Sequence, residues 1–337
     1  MRHAASGKSR IEAIDIARGA ALLAMAVYHF GWDLEFFGYM EPGTTVTGAW
    51  RIFARSIATS FLFLVGVSLF LAHAQSIRWP GFGKRLAMIV AAAAAISLAT
   101  WIVFPSGFIF FGILHHIAVA SLLGLAFLSL PAWAVLLMAA GVVAAPHFLS
   151  APAFDHPALW WLGLSTFRPP SNDYVPLFPW FGAVLAGIAA ARAGRDSGVL
   201  ARLSLLQSGG WSRPVTFAGR HSLAFYLLHQ PILIGCVWLL AQMWPPAVLP
   251  ADARFTQACV RQCEAAREEA FCAAYCGCFV DVLDGEGRLE AVMSARPDRE
   301  TESRLSEIAS ECTMRADAGT AAPQREGTNG QAGGTAE

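Results

Sequence analysis

Followed residue by residue for its apolar and polar positions, the chain is a series of long apolar stretches separated by short polar or proline-bearing ones. A helix needs roughly 20 apolar residues to cross the hydrocarbon core of a bilayer. Stretches of that order lie near residues 14–32, 56–75, 86–105, 108–130, 132–149, 175–193 and 221–245. Pro80, Pro105, Pro131 and the Pro169–Pro170 pair fall between or beside them, where helix breakers belong. The pattern predicts an all-α fold: a polytopic membrane helix bundle of about seven transmembrane helices over residues 10–247. Beyond it, charge crowds in and the long apolar runs stop. Residues 248–315 are expected to form a small Cys-rich helical module. Residues 316–337, rich in Gly, Ala, Thr and Gln, are expected to be disordered.

Composition agrees. Of 337 residues, 55% are hydrophobic and 14% charged, where a soluble domain carries about a quarter of its residues as charge. The 24 basic and 24 acidic residues cancel, but residues 1–250 hold 8 of the acids and the remaining 87 hold 16. An apolar, mildly basic body is thus joined to an acidic tail. No global basic excess points to nucleic acid. The basic start, MRHAASGKSR, precedes an apolar run with no clear small-residue cleavage site, so this run is expected to be a retained first helix.

Lys and Arg in short loops set orientation. Arg2, Lys8 and Arg10, then Arg78, Lys84 and Arg85, then Arg192, Arg195, Arg202, Arg213 and Arg220 share one side if seven spans are present; Arg51, Arg55 and Arg168 fall on the other. The expectation is a cytoplasmic N-terminus and an external tail, and a miscount of one span around Pro131 would reverse the tail. Six of the seven cysteines lie in that tail: Cys259, Cys263, Cys272, Cys276, Cys278 and Cys312. An even number in a small module suggests disulfides and an oxidising compartment. Cys259/Cys263 and Cys272/Cys276 are i, i+4 pairs, so two antiparallel helices could be stapled by two bridges, leaving Cys278 and Cys312 for a third. Fifteen connectivities are open. A zinc site is the alternative, weakened by the absence of tail histidines and by C-x3-C spacing.

The spans carry polar residues that lipid does not tolerate cheaply. Arg18 and His29 are eleven positions apart, three turns plus about 20°, so they share a helix face roughly 16 Å apart along the axis. Arg18 would lie near the cytoplasmic end, where it could simply snorkel, and His29 toward the outer half. Asp33, one turn beyond, could hold the imidazole in one tautomer, unless Gly31 ends the helix and leaves Asp33 an exposed loop acid. His115 and His116 in "FFGILHHIAVASLLG" diverge by 100°, so at most one faces a shared site. Asp173 and Tyr174 in "SNDYVPLFPWFG" stand at the outer mouth of the sixth span and suit hydroxyl or amine binding, or plain interfacial anchoring. His229 and Gln230 in "FAGRHSLAFYLLHQP" need partners at membrane depth, as interhelical glue or as cavity lining.

Taken together, Arg18-x10-His29, the flanking "RIEAIDIARGAALLAMAVYHF", "SFLFLVGVSLFL", "FGILHHIAV", "YVPLFPWFGAVLAG" and "GRHSLAFYLLHQP" resemble the large membrane acyltransferase superfamily. Within it they are most similar to bacterial relatives of the heparan-alpha-glucosaminide N-acetyltransferase catalytic domain. The resemblance covers about residues 10–245 and leaves out the Cys-rich tail. It implies transfer of an acyl group, acetyl first among them, from cytoplasmic acyl-CoA to a hydroxyl or amino acceptor on a glycan or small molecule across the membrane, with no metal. Arg18, with Arg85 and Arg220, would then meet the anionic CoA phosphates. His29 would be the general base, and His115 or His116 a second base or oxyanion partner. The expected setting is a bacterial inner membrane. A transporter, a haem-binding membrane cytochrome and a non-catalytic scaffold for the Cys-rich module are the rival readings of the same buried His and Arg residues.

Overall fold

A computed structural model describes residues 11–320 apart from 206–208, 247–249, 265–266 and 294–298. The N-terminal basic residues Arg2, Lys8 and Arg10 and the tail beyond Thr320 lie outside the described residues. Every regular element described is helical. Six helices are long and apolar enough to cross a membrane: α1 (Glu12–Phe36), α2 (Gly48–His73), α3 (Trp79–Val103), α5 (Ala132–Leu149), α6 (Leu177–Asp196) and α9 (Ser222–Met243). Between α3 and α5 lies the shorter α4 (Ile113–Gly124), extended by a 3-10 turn to Phe127. Two small helices, α7 (Val199–Leu205) and α8 (Arg213–Arg220), join α6 to α9.

The fourth apolar stretch is therefore only partly helical. Residues 104–112 run irregularly, and irregular backbone survives at membrane depth only where protein satisfies its polar groups. Thr100 Oγ1 accepts the Ile109 N–H (3.0 Å), Ser97 Oγ donates to the Ile109 carbonyl (2.6 Å), and the Asp173 carboxylate accepts the Ile113 N–H (2.9 Å). The backbone N–H groups of Asn172 and Val175 donate to the carbonyls of Gly107 and Phe111. Pairing with the 172–175 segment replaces the helix that periodicity alone predicts.

α6 is the central post and the most buried of the six long helices. It packs along α5 and α2. Lipid tails are as apolar as leucine, so helices in a bilayer associate by close contact rather than by excluding water. Glycine provides that contact at two crossings. A Cβ on Gly66 would fall 2.0 Å from the Val184 carbonyl oxygen, and one on Gly187 would fall 2.1 Å from that of Phe63, so α2 and α6 meet backbone to backbone. The same reciprocity joins α1 to α8: Gly19 meets Val215 at 2.0 Å and Gly219 meets Asp15 at 1.9 Å. Large apolar side chains such as Trp101, Ile102, Leu137 and Leu239 remain exposed, a surface suited to lipid. The chain is a multi-pass membrane protein.

The chain divides into two compact units, one made of the chain up to Asp33 with Gly48–Leu239, the other of Leu34–Thr47 with the chain from Leu240. In the second unit α10 (Ala251–Cys263) and α11 (Glu269–Gly285) are linked by Cys259–Cys276 and Cys263–Cys272, a nested pairing that makes them antiparallel. Cys278–Cys312 fastens α11 to α13 (Arg299–Thr320). These bridges occupy all six tail sulfurs, the ones from which a four-ligand zinc site would have to be drawn. A small core of Phe279, Leu283, Leu289, Ile308 and Cys312 lies beneath them, with the short α12 (Leu289–Met293) closing one side. Helix α13 continues through residues 316–320, where disorder was expected to begin. The Leu34–Thr47 segment is fixed within this unit by Glu35, whose carboxylate accepts the N–H groups of Gly43 and Thr45, and by a 3.0 Å Arg261–Glu41 ion pair.

Candidate functional site

A cavity of about 600 Å³ lies within the membrane bundle, bounded by α1, α2, α3, α4 and the α8–α9 junction. Three arginines line it: Arg18, Arg85 and Arg220. Most of its remaining wall is apolar, including Leu22, Phe61, Met88, Leu114 and Leu223. Each arginine is held differently. Arg18 Nη1 bonds Asp15 Oδ1 (3.0 Å) and the Gly219 carbonyl (3.3 Å), while Nη2 donates to Ser68 Oγ (2.9 Å). Arg220 Nε reaches the other Asp15 oxygen at 3.3 Å. Arg85 makes no ion pair with any described residue.

One buried carboxylate thus lies between two guanidinium groups, with a third guanidinium nearby, and the cavity wall carries a surplus of positive charge. Breaking a buried pair by removing one partner leaves a costly uncompensated charge, so Asp15 fixes Arg18 and Arg220 as much as it neutralises them. Asp15 escaped the sequence reading. Its signal was an acid three residues before Arg18 on an otherwise apolar helix, an i, i+3 partner. Ser68 and Gly219 were also missed, because their roles depend on α2 and α8 approaching α1.

His29 lies elsewhere on α1, outside the cavity lining, half-buried beside His229 with ring centroids 4.9 Å apart. Tyr226, one helical turn before His229, lines the cavity. His229 Nδ1 is 2.7 Å from the Tyr226 carbonyl. A carbonyl only accepts, so Nδ1 carries the proton. Gly31 does not end α1. It admits the Trp50 indole, which a Cβ would meet at 2.6 Å, and the helix runs on through Asp33. Asp33 is fully buried, not an exposed loop acid, and its Oδ1 accepts from Gln230 Nε2 (2.7 Å) rather than from His29. Asp33 Oδ2 and Gln230 Oε1 are buried without a hydrogen-bond partner.

The two adjacent histidines of α4 do different things. His115 Nδ1 accepts the Gly112 N–H (3.2 Å), so Nε2 bears the proton and meets Ser97 Oγ at 3.1 Å. Both its nitrogens hold the irregular 104–112 segment in place. His116 is fully buried; its Nδ1 lies 3.2 Å from the carbonyls of both Val175 and Pro176, and its Nε2 has no partner. Asp173 is spent at the start of α4, where burial pushes its carboxyl up to about 6 against the opposing effect of the Ile113 N–H. Tyr174 donates to the Trp160 carbonyl (2.7 Å), and burial pushes its phenol up to about 12. The structure thus brings Arg18, Arg85 and Arg220 together, and His29, Asp33, His229 and Gln230 together. It leaves His115, His116, Asp173 and Tyr174 around the α4 start. Among the described residues no cluster of three His, Cys, Asp or Glu could hold a metal ion.

Two comparisons, with curated proteins and with solved structures, find no match. The profile of a family described as heparan-alpha-glucosaminide N-acetyltransferase, catalytic, matches residues 10–231, well over half of the chain and all of the arginine cavity and histidine pair. The chain belongs to that membrane acyltransferase family.

Proposed function

We propose that the protein transfers an acyl group, acetyl in the first instance, from acyl-CoA to a hydroxyl or amino group of a glycan or small-molecule acceptor on the other side of the membrane. The observation that carries the reading is the arginine-lined cavity against α1, with the His29–His229 pair farther along the same helix. A guanidinium cluster partly neutralised by one carboxylate suits a polyanion such as the CoA phosphates. The apolar wall suits the thin arm that carries the thioester. His29, with no hydrogen-bond partner among the described residues, is the general base. It takes the proton from the acceptor O–H or N–H as that heteroatom attacks the thioester carbonyl. The C–S bond breaks, and the thiolate leaves with the donor. Asp33 and Gln230, hydrogen-bonded to each other at 2.7 Å, tie α1 to α9 close to His29.

His116 is left as a second candidate to meet the reacting group, while His115, Asp173 and Tyr174 support the segment that leads into α4. The proposed setting is a bacterial inner membrane, with the N-terminus cytoplasmic and the Cys-rich module on the oxidising side. That orientation requires α4, at about 20 Å, to count as a crossing. The test is thiol release from acyl-CoA by purified protein supplied with envelope extract as acceptor. His29→Ala should lower turnover by about 10² or more, and Arg18→Ala should mainly raise the KM for acyl-CoA. Neither binding nor turnover in the wild-type protein would overturn the reading in favour of transport.

A further inference from the structure

The Nε2 atom of His229 is buried and has no hydrogen-bond partner, although Nδ1 is committed to the Tyr226 carbonyl at 2.7 Å. Because Nδ1 carries the proton, Nε2 is a bare lone pair. A buried polar atom left unsatisfied is costly, and native chains keep few of them. The imidazole of His29 lies against this ring, edge-on at 62° with centroids 4.9 Å apart. The other rings against His229 are Phe225, which stacks on it at 6.1 Å, and Tyr226, the source of the carbonyl. Two helices thus meet so that one imidazole, with its own tautomer fixed by backbone, turns an acceptor nitrogen toward a neighbourhood that includes a second imidazole.

We infer that His229 is a positioning residue for His29: a small turn of the two facing rings lets its Nε2, unbonded in the structure, accept the N–H of His29, hold that ring in one tautomer, and leave the opposite nitrogen bare for the acceptor's proton. The inference rests on the reading of His29 as the base. It assigns to a neutral imidazole the orienting role that a carboxylate fills in a Ser–His–Asp triad. When His29 takes a proton, the bond to His229 becomes charge-assisted and steadies the imidazolium. Asp33, four residues along α1 and the expected partner, is instead occupied by Gln230.

The test uses the full chain labelled with 15N in its imidazoles, in detergent or nanodiscs, with His29 resonances assigned by their loss in His29→Gln. The wild-type protein should show one neutral tautomer for His29. His229→Leu, which offers no acceptor, should show both, and His229→Gln, whose amide oxygen accepts, should restore one. In thiol release His229→Leu should lower kcat about 100-fold with the KM for acyl-CoA changed less than about twofold, and His229→Gln should recover at least about tenfold of that loss. An unchanged His29 spectrum in His229→Leu overturns the positioning role whatever the turnover. A His29 tautomer that follows residue 229 in a protein with no thiol release supports the pairing and sinks the base reading instead. Should His229→Leu not fold, His229→Gln carries the test, and loss of the single tautomer in that variant overturns the inference.

Discussion

The membrane bundle and the Cys-rich module are both helical, and their helices are held together by opposite means. In the bundle the helices meet through glycine, with Gly19, Gly66, Gly187 and Gly219 each lying against a carbonyl of a neighbouring helix. Its charged groups go inward, Asp15 and Asp33 being buried, while leucine, valine and tryptophan stay outside. In the module three disulfides close loops of 9, 17 and 34 residues, and the charges stay at the surface in Arg–Glu pairs such as Arg304–Glu286. The reason is the solvent. Lipid gives apolar side chains no incentive to hide, so contact area and internal hydrogen bonds do the joining. A small module in water cannot bury enough apolar surface alone and relies on cross-links that limit its unfolded chain.

Breaking a cross-link should have the largest effect. Replacing Cys278 and Cys312 together by serine should cost the module about 4 kcal/mol by loop-closure entropy, and replacing Cys263 and Cys272 about 3 kcal/mol. Limited proteolysis of the full chain should show cleavage confined to the module, with the bundle as resistant as before. Co-operative loss of both would mean that the two units do not hold themselves together separately.

The glycines sharpen the comparison next. Gly219→Ala puts a methyl where the Asp15 carbonyl stands, and overpacking of this kind costs about 1–3 kcal/mol. It should also weaken acyl-CoA binding, because Arg18 bonds the Gly219 carbonyl and Arg220 follows it in sequence. Gly277→Ala, inside α11 with open space around it, should instead stabilise the module by about 0.5–1 kcal/mol. Thermal unfolding of the two variants should shift in opposite directions; shifts of the same sign would remove the distinction.

The smallest effect is in pH dependence. Asp173, in the loop before α6, titrates near 6 because burial disfavours its charge. Its folded value is raised, so its contribution to stability is full below the ordinary carboxylate value and is lost as pH rises through about 6. Glu286 is held below its ordinary value, first by its hydrogen bond from Arg304. Its contribution is therefore present above the ordinary glutamate value and lost as pH falls through the lowered one. Stability of wild type against Asp173→Asn and Glu286→Gln, followed between pH 3 and 8, should drift in opposite directions, the Glu286 arm fading in high salt.

Composition and the length of apolar runs were enough to identify a membrane bundle, because backbone in lipid must satisfy itself and helices do so locally. The same holds for the cysteine ladder, since i, i+4 spacing puts each pair on one helix face. The convergence of Arg18, Arg85 and Arg220 on one cavity is not a property of any one helix. It depends on α1 crossing α8 at two glycines, a contact between residues some 200 positions apart. The shortness of α4 was hidden for the same reason: periodicity reads residues 104–112 as helix, but the 172–175 segment outcompetes it for their hydrogen bonds. Gly31 looked like a helix end and proved to be a seat for Trp50. Sequence alone determined what each helix is made of and which residues lipid would not tolerate. Tertiary structure decided which polar group meets which, because a buried donor or acceptor takes its partner from whatever packs beside it, here Gln230 for Asp33, Asp15 for Arg220 and Ser68 for Arg18.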